Sequence, residues 1–191
     1  MKQIYMVVFA LLVIFSVTMS AGAFEEKTIY RQNGESAYAE WYEQTPDGST
    51  DKYVNVMKTN DGTDIYVSLC TSDISGYYTC KWGYTFTTED VFTMDKKLGS
   101  ATLSAINVDV YDWNTPVVET ITIQAEWTGT GDAMKGSYKY TSKNGDFVSK
   151  YSESSTYREA TATGSLNGVE LGTSNYGGMV AFKSSSMWMQ K

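Results

Sequence analysis

DIYVSLCTSDISGYYTCKWGYTF, residues 64–86, holds both cysteines of the chain and reads as two strands folded on each other. Setting Cys70 opposite Cys80 puts Ser72 against Tyr78 and Asp73 against Tyr77, leaving Ile74, Ser75 and Gly76 as the loop. A three-residue hairpin loop needs a left-handed residue at its third position, and Gly76 stands there. Directly opposed cysteines at a non-hydrogen-bonded position lie within disulfide reach. Closing so short a loop stabilises the fold by roughly 3 kcal/mol on the chain-entropy model. In the second strand Tyr78, Cys80, Trp82, Tyr84 and Phe86 share one side, which the alternation predicts to face the core. The first strand turns Ile65, Val67 and Leu69 the other way, toward Lys81, Gly83 and Thr85. The pattern therefore calls for a bulge that slips the register or for cover on both faces.

The 191-residue chain opens with Lys2, an apolar run from Ile4 to about Val17, and Ala21-Gly22-Ala23. This is the three-part pattern of a secretory leader cleaved after Ala23, too short to span a membrane comfortably. The expected domains are thus a signal peptide, 1–23, and a single all-β domain, 24–191, with no membrane span after cleavage. An uncleaved signal anchor is the alternative. A domain of about this size buries roughly 70% of the surface its unfolded chain exposes, so one core suffices. Loss of Lys2 leaves 14 basic and 22 acidic residues, a formal charge of −8. The longest basic run is Lys96-Lys97, which argues against nucleic acid or anionic lipid as partners. Histidine is absent, which removes His-dependent triads, His-ligated zinc and imidazole general bases.

The rest of the chain repeats the two-residue rhythm. Strands are predicted over Glu35–Gln44, with Ala37, Ala39 and Trp41 on one face, and over Lys52–Lys58, with Val54 and Val56 inward. Thr45-Pro46-Asp47-Gly48 and Asn60-Asp61-Gly62 are the turns. Thr88–Phe92 reads as one helical turn capped by Thr88. From Leu98 to Trp113 the apolar phase changes from Ala101, Leu103 and Ala105 to Ile106, Val108 and Val110, which predicts a bulge near Ala105-Ile106. In Val117–Thr128, Ile121, Ile123, Ala125 and Trp127 point inward. Further strands follow over Lys135–Ser142, Asp146–Tyr151, Thr156–Leu166 and Gly178–Met189, with turns at Asn144-Gly145 and Asn167-Gly168. Met187-Trp188-Met189 is expected to dock in the core. Ten or eleven short strands with turns between them predict an antiparallel two-sheet sandwich, with a closed meander barrel as the alternative.

Ser75–Cys80 matches the Ser-Gly-x-Tyr-x-Cys run of immunoglobulin domains. The partner cysteine lies only ten positions away and no tryptophan intervenes, so no immunoglobulin function follows. Phe92–Gly131, with KLGSATLSAINVDVYDW and IQAEWTGTGD, resembles segments of uncharacterised secreted all-β proteins. That resemblance implies a secreted β-rich fold and no activity, ligand or site residue.

Asn60–Asp64 offers two carboxylates toward calcium, but its composition is what a hairpin turn demands; no metal and no cofactor are expected. Glu40 and Glu126 are the carboxylates that a hydrolase would need about 5 to 10 Å apart. Tyrosine is the compositional oddity. Tyr38, Tyr42, Tyr138 and Tyr140 occupy strand positions where a water-facing polar residue is expected, and flat rings with hydroxyl rims suit sugars. The sequence therefore predicts a secreted, non-catalytic β-domain, structural or adhesive or glycan-binding, whose partner is an extracellular glycan or cell-surface component. A barrel-type carrier of a small apolar ligand is the alternative, and a carboxylate-based hydrolase a third reading.

Overall fold

The computed structural model describes residues 27–112 and 115–190, without the side chains of residues 115–117. The leader, its cleavage point and Trp113 lie outside the described residues. Alternating sequence becomes strand almost everywhere: β1 (Lys27–Thr45), β2 (Gly48–Thr59), β3 (Thr63–Asp73), β4 (Tyr78–Thr87), β5 (Phe92–Met94), β6 (Ser100–Asp112), β7 (Thr115–Gly129), β8 (Met134–Asn144), β9 (Phe147–Leu166), β10 (Val169–Thr173) and β11 (Tyr176–Gln190). The fold is all-β and antiparallel, of sandwich/meander type, as the sequence predicts.

β1 to β4 form a meander of adjacent hairpins. β4 then pairs with β6, β6 with β7, and β7 with the distal half of β9. β9 pairs with β11 and β11 with β1, so the hydrogen bonds close a ring of eight strands. The 20-residue β9 makes closure possible by serving four partners. On one edge it takes β11 and then β10; on the other it takes β8 and then β7. β2 joins β1 only from Gly34 onward, and β7 joins β9 only from Ala160. Beyond those rows β8, β9, β11 and the start of β1 continue as a four-stranded projection, in that order.

One face of the ring strands, β4 excepted, supplies the core: Ala37, Ala39 and Trp41 from β1, Val54 and Val56 from β2, Ile65 and Val67 from β3, and Ile121, Ile123, Ala125 and Trp127 from β7. The register of β6 on β7 shifts between Leu103 and Ile106, the bulge that the phase change predicts. It keeps Ala101 and Leu103 on the same buried side as Val108 and Val110.

Cys70 and Cys80 are bonded and directly opposed, and Gly76 adopts φ +80° at the third loop position. Asp73 Oδ1 accepts hydrogen bonds from the amides of Ser75 and Tyr77 and from the Ser75 hydroxyl, fixing that loop.

Five expectations need correction. The aromatic face of β4 is not core: Tyr78 and Tyr84 are each 59% exposed and Phe86 49%. Neither a bulge nor double cover is used, because β3 and β4 pair in continuous register and the aliphatic side of β3 meets Gly83. The bare backbone at Gly83 admits Val108 and Val110, so the filling comes from β6 instead of from β4's aromatics. Thr88–Phe92 forms no helical turn; Phe92 enters strand β5 and packs edge-on against Trp127, ring centres 6.2 Å apart. The serine-rich Ser152–Ser155 does not break β9, since β8 and β11 satisfy its backbone on both edges. Trp188 is 62% exposed, so Met187-Trp188-Met189 does not dock in the core but lies in the projection, where no second layer covers it.

A Cβ at Gly83 would fall 2.7 Å from the Asp109 carbonyl oxygen and 2.7 Å from Val108 and Val110 Cγ1. Gly83→Ala is therefore expected to lower stability by about 1–3 kcal/mol, read as a shifted urea midpoint with an unchanged slope. Reduction of the disulfide should cost about 2–3 kcal/mol by the same measurement.

Candidate functional site

The inward set leaves every second side chain pointing out, and the sequence fills that outer side with tyrosine. Thirteen of the fifteen tyrosines lie on it; Tyr77 is in the hairpin loop and Tyr5 is outside the described residues. Their densest grouping spans β9, β11, β1, β2 and β3. Tyr38 opposes Gly178 on β11 and Asn55 on β2, and the bare Gly178 leaves room for the rings of Tyr38 and Tyr157. The Tyr38 hydroxyl lies 3.3 Å from that of Tyr176 and 3.4 Å from that of Tyr157. Ring centres of Tyr38 and Tyr176 are 5.6 Å apart, and Tyr53 sits 6.5 Å from Tyr38 and 6.2 Å from Tyr66.

Two carboxylates stand among these rings. Glu40 is flanked by Tyr176 and Tyr53, and Asp51 opposes Tyr42. Burial raises the Glu40 carboxyl above its ordinary value, with the neighbouring Asp51 charge adding to it. Burial raises Asp51 as well, partly offset by Lys52. The Tyr53 hydroxyl is pushed up to about 12, first by burial and then by Tyr66, Glu40 and Tyr176. Tyr38 is held far above the usual tyrosine value, by burial and then by its bonds to Tyr157 and Tyr176. At neutral pH these hydroxyls are therefore donors beside carboxylate acceptors. Asp51 Oδ1 and the Tyr53 hydroxyl are buried and take no hydrogen bond from the described chain. Buried polar atoms are rarely left so, and each unpaired one costs free energy.

Of the tyrosines singled out from the sequence, Tyr38 is half-buried within this cluster and Tyr42 is exposed beside it, bonded through its hydroxyl to Gln44. Tyr138 and Tyr140 lie elsewhere, on the outer side of the projection. Tyr140 opposes Tyr151, and the rings of Tyr138 and Tyr151 are 6.2 Å apart. Near the tip an open hollow of about 240 Å³ is lined by Ser142, Asn144, Phe147, Ser149 and Trp188. The four residues thus fall into two groups on one surface. Tyr53, Tyr66, Tyr157, Tyr176 and Asp51 were missed, although inward Val54 and Val56 already dictate that Asp51 and Tyr53 face out.

Glu40 and Glu126 do not form a pair. They stand on β1 and β7 with β11 and β9 between them, about 14 Å across the sheet, outside the range for glycoside hydrolysis. The Asn60–Asp64 segment is a hairpin turn, and Asp64 accepts the Tyr84 hydroxyl. Inside the ring, the space among Trp41, Val54, Val67 and Ile123 amounts to about 10 Å³, far below the roughly 300 Å³ a carried ligand requires. No family model, curated protein or solved structure matches the chain.

A raised folded-state carboxyl opposes folding above its folded value and has no effect below its unfolded one. Asp51→Asn should therefore raise the melting midpoint at pH 7, with the gain shrinking as pH falls toward 4. Melts across that range check the sign.

Proposed function

We propose that the protein is a secreted, non-catalytic β-domain, structural or adhesive, that binds glycan through its outer aromatic face. The observation that carries this reading is the crowding of tyrosine rings around Glu40 and Asp51, with two polar atoms there unused by the chain. Apolar ring faces stack on the faces of sugars, while hydroxyl donors and carboxylate acceptors match sugar hydroxyls. Tyr42, Tyr66 and Tyr176 are exposed at this cluster, and grouped exposed aromatics mark binding surfaces. A disulfide, and no helix among the described residues long and apolar enough to cross a membrane, are compatible with an extracellular setting. The leader pattern at residues 1–23 supports export.

The test is a glycan array with four proteins: the parent chain, Tyr38→Phe, Tyr42→Ala and Tyr176→Ala. Exposed Tyr42 and Tyr176 can be truncated with little loss of packing. Each truncation is expected to weaken glycan retention by about tenfold, the equivalent of one stacking contact of roughly 1.4 kcal/mol. Tyr38→Phe keeps the ring and should weaken it less. Unchanged retention in all three variants would remove this face from the proposal.

A further inference from the structure

We infer that the opposite face of the four-stranded projection docks an extended acidic polysaccharide. This face continues the inward side of the ring strands, after Ala37 and Met179, out past the point where β2 and β7 join. There basic residues enter the inward positions, interspersed with Ile29, Val148, Met187 and Met189. Lys27 and Arg31 on β1, Lys183 on β11, Lys150 on β9, and Lys135, Lys139 and Lys143 on β8 share this side, as the cross-strand registers require. Seven of the fifteen Lys and Arg of a chain with net charge −7 are thus gathered on one side of one small sheet. All seven are exposed. Neither ion pair found among the described residues, Lys58–Asp90 or Lys81–Glu119, uses any of them. Glu35 is the one carboxylate on this side, and the aromatic side of the same four strand segments carries no cation at all.

Protection of a sheet edge explains part of this pattern and not the rest. Lysine commonly blunts an open edge strand, which would account for β8 and for the start of β1. Lys150 and Lys183 lie on β9 and β11, the two central strands, where no edge needs blunting.

The surroundings of the cations choose among polyanions. Ser137, Ser152, Ser154 and Ser185 stand between the charges and offer neutral hydrogen bonds to a hydroxylated chain. Single-stranded nucleic acid binds where aromatic rings alternate with cations, and here the rings are on the other side of the sheet. A lipid surface would be met by the tip alone, whereas Arg31, Lys139, Lys135 and Lys183 extend the charge several rows back, toward the ring. Four-residue spacing along a strand sets successive lysines of β8 about 13 Å apart, which suits contact along a polymer instead of capture of one small anion. This surface is independent of the aromatic face proposed above, and either can fail without the other.

The experiment measures binding of the intact chain to heparin as the sulfated probe and polygalacturonate as the carboxylated one, with dextran as the neutral control. Binding to at least one of the two anionic probes at about 50 mM salt, falling steeply with added salt, is expected from counterion release. The triple variant Lys139→Glu, Lys150→Glu, Lys183→Glu should raise Kd about tenfold or more, and the corresponding Gln triple variant should raise it by a smaller factor. Melting midpoints of the variants establish that they are folded. Absence of binding to both probes, or folded charge variants that bind unchanged, would overturn the inference. Tighter binding to phosphatidylserine vesicles or to single-stranded DNA than to either polysaccharide would overturn the partner class.

Discussion

Every backbone N–H and C=O withdrawn from water needs a partner, and β9 meets that demand on both edges along nearly all of its twenty residues. One half of the strand shuts the ring by linking β7 to β11's side of the sheet; the other half carries β8 outward. Removal of β9 would free four other strands at once. The closed wall and the projecting sheet therefore stand or fall together, even though only the wall has a buried core. This is why a segment as polar as Ser152–Ser155 remains extended: two ladders hold it, not its side chains.

Because side chains alternate along a strand, a closed wall separates chemistry by parity. Within the ring, one parity is aliphatic and the other tyrosine-rich. Past the end of the ring the inner parity meets water, and lysine, arginine and serine join Ile29, Val148, Met187 and Met189 there without loss of phase. The outer parity does not change character and remains aromatic from Tyr66 to Trp188. One sheet thus presents two unlike surfaces, one with flat rings and hydroxyls and one with cations and serines, back to back on the same strands.

Much of this architecture was legible in the residues. Opposed cysteines with Gly76 gave the stapled hairpin, the phase slip between Leu103 and Ile106 gave the bulge, and Ile121 to Trp127 gave an inward face. The side on which β4 packs was not legible, since alternation identifies a face but not its direction, and Gly83 gains meaning only when β6 is seen against it. The basic surface was hidden for a related reason. Lys135, Lys139, Lys143, Lys150 and Lys183 form no run in the sequence, and only the pairing of β8, β9 and β11 puts them side by side. The tyrosine cluster was half legible: Tyr38 and Tyr42 stood out, whereas Tyr157 and Tyr176 come from strands more than a hundred residues away.

The indole Nε1 of Trp127, deep in the core, donates at 2.9 Å to the carbonyl oxygen of Tyr38. The peptide that carries the central ring of the outer cluster is therefore clamped from inside the molecule. A visitor settling on that ring meets a platform that was stiffened during folding, so little motion remains to be frozen on contact, and rigid platforms hold weak stacking partners better than loose ones.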